Sequence, residues 1–75
     1  MNLFQITFTG DDSDTFNYLV LAASKLKAIK QFSKDLKEEG NYEKVVILNT
    51  DDLGEGSEED VRELIDDGVV DYYYI

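Results

Sequence analysis

The apolar residues of this chain change their spacing along the sequence, and this change restricts the possible folds more than any other feature. Phe4, Ile6 and Phe8 alternate with polar residues, which predicts a half-buried strand over Leu3–Thr9. A second strand is predicted over Phe16–Ala22. The short polar loop between the two predicts a β-hairpin.

After the hairpin the apolar spacing becomes helical. Ser24 is a typical N-cap residue, and the pattern predicts a helix over Lys25–Glu39 with Gly40 at its end. The core face of this helix consists of apolar residues three or four positions apart, namely Ala28, Ile29, Phe32 and Leu36.

A third strand is predicted over Tyr42–Asn49. Its centre, residues 45–48 with the sequence VVIL, is apolar on both faces. That pattern is typical of an interior strand whose two faces are both covered. The next segment, Thr50–Gly56, contains two glycines and is predicted to be a loop.

Ser57 and Asp60 predict a capping box at the start of a second helix over Glu58–Asp67, and Gly68 is placed to end it. The buried face of this helix should contain Val61, Leu64 and Ile65. β-branched and aromatic residues predict a last strand over Val69–Ile75.

The element order is therefore ββαβαβ, in a single domain over residues 1–75. This order predicts the α/β (α+β) class, with a mixed sheet of about four strands packed by two helices. If both helices cover the same face, some apolar side chains stay uncovered on the other: Leu19, Leu21, Val46 and Leu48. Because uncovered apolar patches usually mark interfaces, we expect a homodimer or a partner at this sheet.

The composition argues against catalysis and metal binding. Cysteine and histidine are both absent, which excludes disulfides, thiolate zinc sites and the commonest general base. No nucleophile elbow or phosphate-binding loop is present. The loop from Asp51 fits a calcium-binding loop at Glu55 and Gly56, but it has Leu53 and Arg62 at two ligand positions. We therefore expect no enzyme, no cofactor and no metal site.

The net charge of −10 argues against direct nucleic-acid binding and against anionic membranes. From Gly40 onward the chain has eleven acidic and two basic residues, a net charge of −9. The N-terminus has no basic region and no long apolar stretch, so we expect neither a signal peptide nor a transmembrane helix. These features favour a cytoplasmic protein.

The two helices carry opposite charges. A basic stripe on the first helix consists of Lys27, Lys30, Lys34 and Lys37. An acidic stripe, on the second helix and the segment before it, consists of Asp51, Asp52, Glu55, Glu59, Glu63, Asp66 and Asp67. Either stripe could serve solubility alone or bind a partner of opposite charge. If the helices lie side by side, the two stripes partly neutralise each other.

The last strand is rich in tyrosine, a residue that buries a large area at low entropic cost. Alternation puts Tyr72 and Tyr74 on one face, which makes them interface candidates. Together these features favour a non-enzymatic protein whose acidic stripe mimics nucleic acid and blocks the basic groove of a partner protein. Inhibitors that phages and mobile elements direct against host nucleases or polymerases are of this type. The alternative is a structural or accessory protein that homodimerises through its sheet and is acidic only for solubility.

Overall fold

The computed structural model of the chain describes residues 1–10, 14–39, 44–68 and 70–74. Its elements are β1 (Asn2–Thr9), β2 (Thr15–Ala22), α1 (Lys25–Glu39), β3 (Val46–Glu55), α2 (Glu58–Asp66) and β4 (Tyr72–Tyr74). The strands form one mixed sheet in the spatial order β3-β1-β2-β4. β1 is antiparallel to both of its neighbours, and β4 is parallel to β2. The predicted ββαβαβ order and the mixed sheet are confirmed.

The main core lies between α1 and one face of the sheet, which we call the main face. Even-numbered residues of β1 and β2 point to this face because the two strands pair with Phe4 opposite Val20 and Phe8 opposite Phe16. The helix supplies Ala28, Phe32 and Leu36 to the same cluster. The Phe8 and Phe32 rings meet edge to face, with their centroids 4.9 Å apart, a favourable geometry for aromatic pairs.

The start of α1 is capped as predicted. The backbone N–H of Lys27 donates to Ser24 Oγ at 3.2 Å, and the N–H of Ala28 donates to the Ser24 carbonyl at 3.0 Å. These bonds satisfy backbone donors that have no partner within the helix itself. Gly40, predicted to end this helix, lies outside the described residues.

A smaller second core lies on the opposite face of the sheet, which we call the second face. Here Leu3 and Leu19 pack against Val61, the one buried residue of α2. Partly buried apolar residues surround this cluster: Leu21, Leu64, Ile65 and Val70. The expectation that Leu19 and Leu21 stay uncovered is therefore wrong, because the two helices cover different faces.

The strand order explains why the helices lie on different faces. The connection through α1 leads from β2 across β1 to β3, and the connection through α2 leads back across the sheet to β4. Both connections join parallel strands, and such connections are nearly always right-handed. Two connections of the same hand that run in opposite directions must lie on opposite faces of the sheet.

The third strand differs most from its prediction. It is an edge strand over Val46–Glu55, whereas an interior strand over Tyr42–Asn49 followed by a loop was predicted. Residues 41–43 lie outside the described part of the chain. The polar half, Thr50–Glu55, pairs with β1 because an edge strand has one side in water and accommodates charged side chains. Asp52, for example, accepts hydrogen bonds from the Asn2 amide at 3.0 and 3.1 Å.

The second helix closely follows its prediction. The capping box is present, with the Ser57 N–H donating to the Asp60 carboxylate at 2.8 Å. The helix ends at Asp66, one residue earlier than predicted, with Asp67 as its C-cap. Gly68 then adopts φ +74°, the left-handed conformation expected of a glycine after a helix.

Candidate functional site

The carboxylates of α2 are held at the surface by the way this helix is anchored. Val61 is fully buried against Leu3 and Leu19, while Leu64 and Ile65 are partly buried beside it. The remaining residues of the helix are exposed, among them Glu59, Glu63 and Asp66 of the acidic stripe. The helix therefore turns its carboxylates to solvent over the second face.

Four carboxylates from α2, its C-cap and the end of β3 line one hollow on the surface. They belong to Glu55, Asp60, Glu63 and Asp67, and they line a shallow groove of about 350 Å³. The apolar part of its lining is formed by three leucines, Leu3, Leu53 and Leu64. We call this feature the acidic groove. An apolar surface beside carboxylates suits a long basic side chain, whose methylene stem and charged head need different surroundings.

The acidic groove contains three of the seven residues of the acidic stripe: Glu55, Glu63 and Asp67. Glu59 and Asp66 lie on the same helix, exposed but outside the lining. The stripe is therefore divided between the groove and the neighbouring surface.

Asp51 and Asp52 are on opposite faces of the sheet and do not form a continuous row with α2. Asp51 pairs with Gln5 on the second face, whereas Asp52 pairs with Phe4 on the main face. The side chains also have structural partners. Asp51 accepts a hydrogen bond from the Asn49 amide at 2.8 Å, and Asp52 accepts one from the Gly54 N–H at 2.9 Å.

Asp60 is the groove carboxylate that the sequence did not assign to the acidic stripe, because its capping role already accounted for it. A different pattern would have found it. Asp60, Glu63 and Asp67 are spaced by three and four positions, so they are predicted to lie on the same side of the helix. The leucine lining could not be found in this way, since Leu3 and Leu53 come from distant segments.

The basic stripe lies on the other side of the molecule. Lys27, Lys30, Lys34 and Lys37 are exposed on α1, which packs on the main face, and the sheet separates them from α2. The two helices therefore do not lie side by side, and the lysines of α1 do not contact the carboxylates of α2. Within the described ranges, no ion pair joins a carboxylate of α2 to a lysine or arginine.

The two interface candidates of the last strand differ in exposure. Tyr72 packs into the main core, its ring 6.0 Å from that of Phe8 and 5.9 Å from that of Phe16. Tyr74 is 44% exposed and lines a second hollow beside Lys27 and Gln31 of α1. Of the pair, Tyr74 is the residue whose ring a partner could reach.

Two further observations concern metals and membranes. In the part of the chain that the structure describes, no group of three or more acidic side chains is arranged to hold a metal ion. None of the helices formed by those residues is both long enough and apolar enough to cross a membrane.

A scan against protein-family models gives no match for this chain, and comparisons with curated proteins and with solved structures return no significant match either.

Proposed function

We propose that this protein is a non-enzymatic binding module whose acidic surface occupies a basic, nucleic-acid-binding groove of a partner protein. The observation that carries the proposal is the acidic groove, whose lining combines four exposed carboxylates with three leucines. The proposal includes the role of an inhibitor of the kind encoded by phages and mobile elements. It also includes a cytoplasmic setting, where a chain without cysteine depends on no oxidising environment.

The spacing of the carboxylates supports mimicry of a phosphate backbone. Side chains three or four residues apart on a helix have Cβ atoms about 5–6 Å apart, which is of the same order as the spacing of charges along a nucleic-acid strand. Asp60, Glu63 and Asp67 follow this spacing. Glu55 adds a fourth charge from the adjacent end of β3.

The separation of charge also supports the proposal. A negative surface steers a basic partner only where its own protein does not neutralise it. The lysines of α1 lie across the sheet from the acidic groove, and Arg62 is the one basic residue of α2. The electrostatic potential over the acidic groove should therefore be negative.

The leucine lining gives the groove selectivity for lysine and arginine over small cations. A partner's side chain can lay its methylene stem against Leu53 and Leu64 while its charged head meets Glu63 and Asp67. Nucleic-acid-binding grooves present many such side chains, because they bind phosphates through lysine and arginine.

The test is a capture experiment with two variants of equal charge. The immobilised protein captures partners from cell lysate, and a DNA duplex or a single-stranded oligonucleotide is then added as competitor. One variant carries Glu63→Gln and Asp67→Asn, which remove two groove charges whose side chains accept no hydrogen bond within the described residues. The control carries Asp14→Asn and Glu38→Gln, which remove two exposed charges elsewhere.

Mimicry predicts that the oligonucleotide releases the captured partner, since both occupy one groove. It also predicts that the groove variant loses capture while the control keeps it. Partners that stay bound in excess oligonucleotide, or that both variants capture equally well, would refute the proposal.

A further inference from the structure

The outer edge of β3 is the longer of the two sheet edges that the described strands leave without a partner. β3 pairs with β1 on one side, and none of the described strands pairs with its other side. Its first half is apolar and exposed: Val46 is 57% exposed, Ile47 37% and Leu48 56%. A long apolar edge that no described strand covers is a template for pairing with another strand.

The second half of the same strand is protected against such pairing. It carries the carboxylates of Asp51, Asp52 and Glu55, and charged side chains discourage edge pairing. The Gly54 N–H already donates to the Asp52 side chain, and Gly54 has φ +92°, which interrupts the extended backbone. The part of the edge that remains open to pairing is therefore residues 44–51.

We infer that this segment pairs antiparallel with the same segment of a second copy, joining the two sheets into one. The sheet register selects how the copies align. Val45 packs into the main core, and Val46 lies opposite Thr9, which points to the second face. A β-bulge follows, since Phe8 lies opposite Ile47 and Thr7 opposite Asn49. Leu48 is therefore an extra residue, and Ile47 and Leu48 both lie opposite Phe8. Both side chains are then on the main face.

Only residues on the same face can lie opposite each other across a continuous sheet. A two-fold axis between Ile47 and Leu48 satisfies this condition for the residues whose faces are given above. It pairs Ile47 with Leu48, Val46 with Asn49 and Val45 with Thr50, and it brings Lys44 to Asp51. A slip of one residue in either direction places main-face residues opposite second-face residues, so the bulge fixes the register.

Charge favours the same register. It sets Lys44 opposite Asp51 of the other copy at both ends of the paired segment, and opposite charges at directly facing positions stabilise a sheet. Glu55 lies about 25 Å along the strand from the two-fold axis, given a rise of about 3.3 Å per residue. That distance exceeds the Debye length of about 8 Å at physiological salt, so the two acidic ends are screened from each other.

The first test is the mass in solution, measured by sedimentation equilibrium. So short a contact should give a weak dimer, with a dissociation constant between about 1 µM and about 1 mM. Because each copy carries a charge of −10, raising the salt from a low concentration to the physiological one should strengthen the dimer. Leu48→Lys, which puts like charges at the axis, should weaken it at least about tenfold. Leu53→Lys makes the same change on β3 outside the paired segment, and it should leave the dissociation constant of the dimer unchanged.

The second test reads the register through introduced thiols, since the chain has no cysteine. Val46→Cys combined with Asn49→Cys puts two thiols opposite each other in the dimer, with Cβ atoms about 4.5–5.5 Å apart, near disulfide range. Mild oxidation should then give a covalent dimer. Val46→Cys combined with Asp51→Cys puts the thiols on the same face but out of register, with Cβ atoms about 7–8 Å or more apart. This pair should give little covalent dimer.

A monomer at about 1 mM, equal effects of Leu48→Lys and Leu53→Lys, or equal crosslinking of the two thiol pairs would each overturn the inference. Its failure is distinguishable from failure of the proposed function. Salt should strengthen the dimer but weaken binding to a basic partner. Leu48→Lys should also leave capture by the acidic groove intact, since Leu48 is not part of the groove lining.

Discussion

Replacing Val61 by alanine tests whether α2 is anchored on the second face of the sheet. Val61 is fully buried and is the one buried residue of this helix. The acidic groove depends on the position of α2, because Asp60, Glu63 and Asp67 all move with it. A loss of this anchor should therefore reduce both the stability of the fold and the integrity of the groove.

The expected cost of Val61→Ala follows from three contributions. Removing two buried methyl groups costs about 1.6 kcal/mol at about 0.8 kcal/mol per group. The remaining cavity adds about 1 kcal/mol, because the surrounding side chains relax only in part. Alanine is the better helix former by about 0.6 kcal/mol, which offsets some of the loss. The net destabilisation is about 2 kcal/mol, a large part of the stability of about 4–11 kcal/mol expected for a chain of this size.

Urea denaturation of dilute, monomeric protein measures this cost, and a thermal scan should show the melting temperature falling by about 8–16 °C. Val46→Ala is the matched control, since it makes the same chemical change at a residue that is 57% exposed. It should cost less than about 1 kcal/mol, the span of strand propensities. If Val61→Ala costs no more than Val46→Ala, α2 is not anchored as described.

Two further substitutions, with a third as a control, test how the acidic groove is supported. Gly56→Ala should destabilise by about 1–2 kcal/mol in urea denaturation, because the added Cβ would lie 2.9 Å from Leu3 Cβ and force apart β1 and the start of α2. A variant as stable as the wild type would contradict this contact. Asp60→Ala should cost about 1 kcal/mol through loss of the bonds from Ser57, whereas Asp66→Ala, at the negative end of the helix dipole, should be neutral or slightly stabilising. Equal effects of the two aspartate substitutions on thermal stability would show that the cap contributes nothing.

Local patterns predicted most of the elements. Alternation predicts β1 and β2, and residue type with position predicts the residues that cap α1 and α2, Ser24 and Ser57. These predictions hold because each depends on neighbours within a few residues. Strand periodicity and capping are local properties, and tertiary contacts here reinforce them.

The third strand could not be predicted from local patterns. Val46, Ile47 and Leu48 resemble the centre of a buried strand, and Asp51 and Asp52 resemble a turn. Both interpretations assume that apolar strands lie inside sheets. In the structure β3 is at the edge, where the apolar residues are exposed and the carboxylates pair with β1 without burial. Position within a sheet depends on strand order, which the sequence of elements leaves open.

The face of the sheet that α2 covers could not be predicted from the sequence for the same reason. Whether Leu19 faces solvent or a helix depends on the direction of the second crossover, and only the strand order β3-β1-β2-β4 fixes that direction. The acidic groove follows from the same geometry, since Leu3 and Leu53 reach it from β1 and β3. Charge counting found three of its four carboxylates, but no sequence pattern showed that leucines lie beneath them.

The central claim, that the acidic groove recognises a basic groove, is tested most directly by the salt dependence of affinity. The captured partner is titrated with the wild type and both double variants by calorimetry, at low and at physiological salt. We predict that affinity falls as salt rises, and that Glu63→Gln with Asp67→Asn lowers affinity at least about tenfold and flattens this dependence. Asp14→Asn with Glu38→Gln should stay within about twofold of the wild type. If the two double variants give the same affinity and the same salt dependence, the acidic groove is not the binding site.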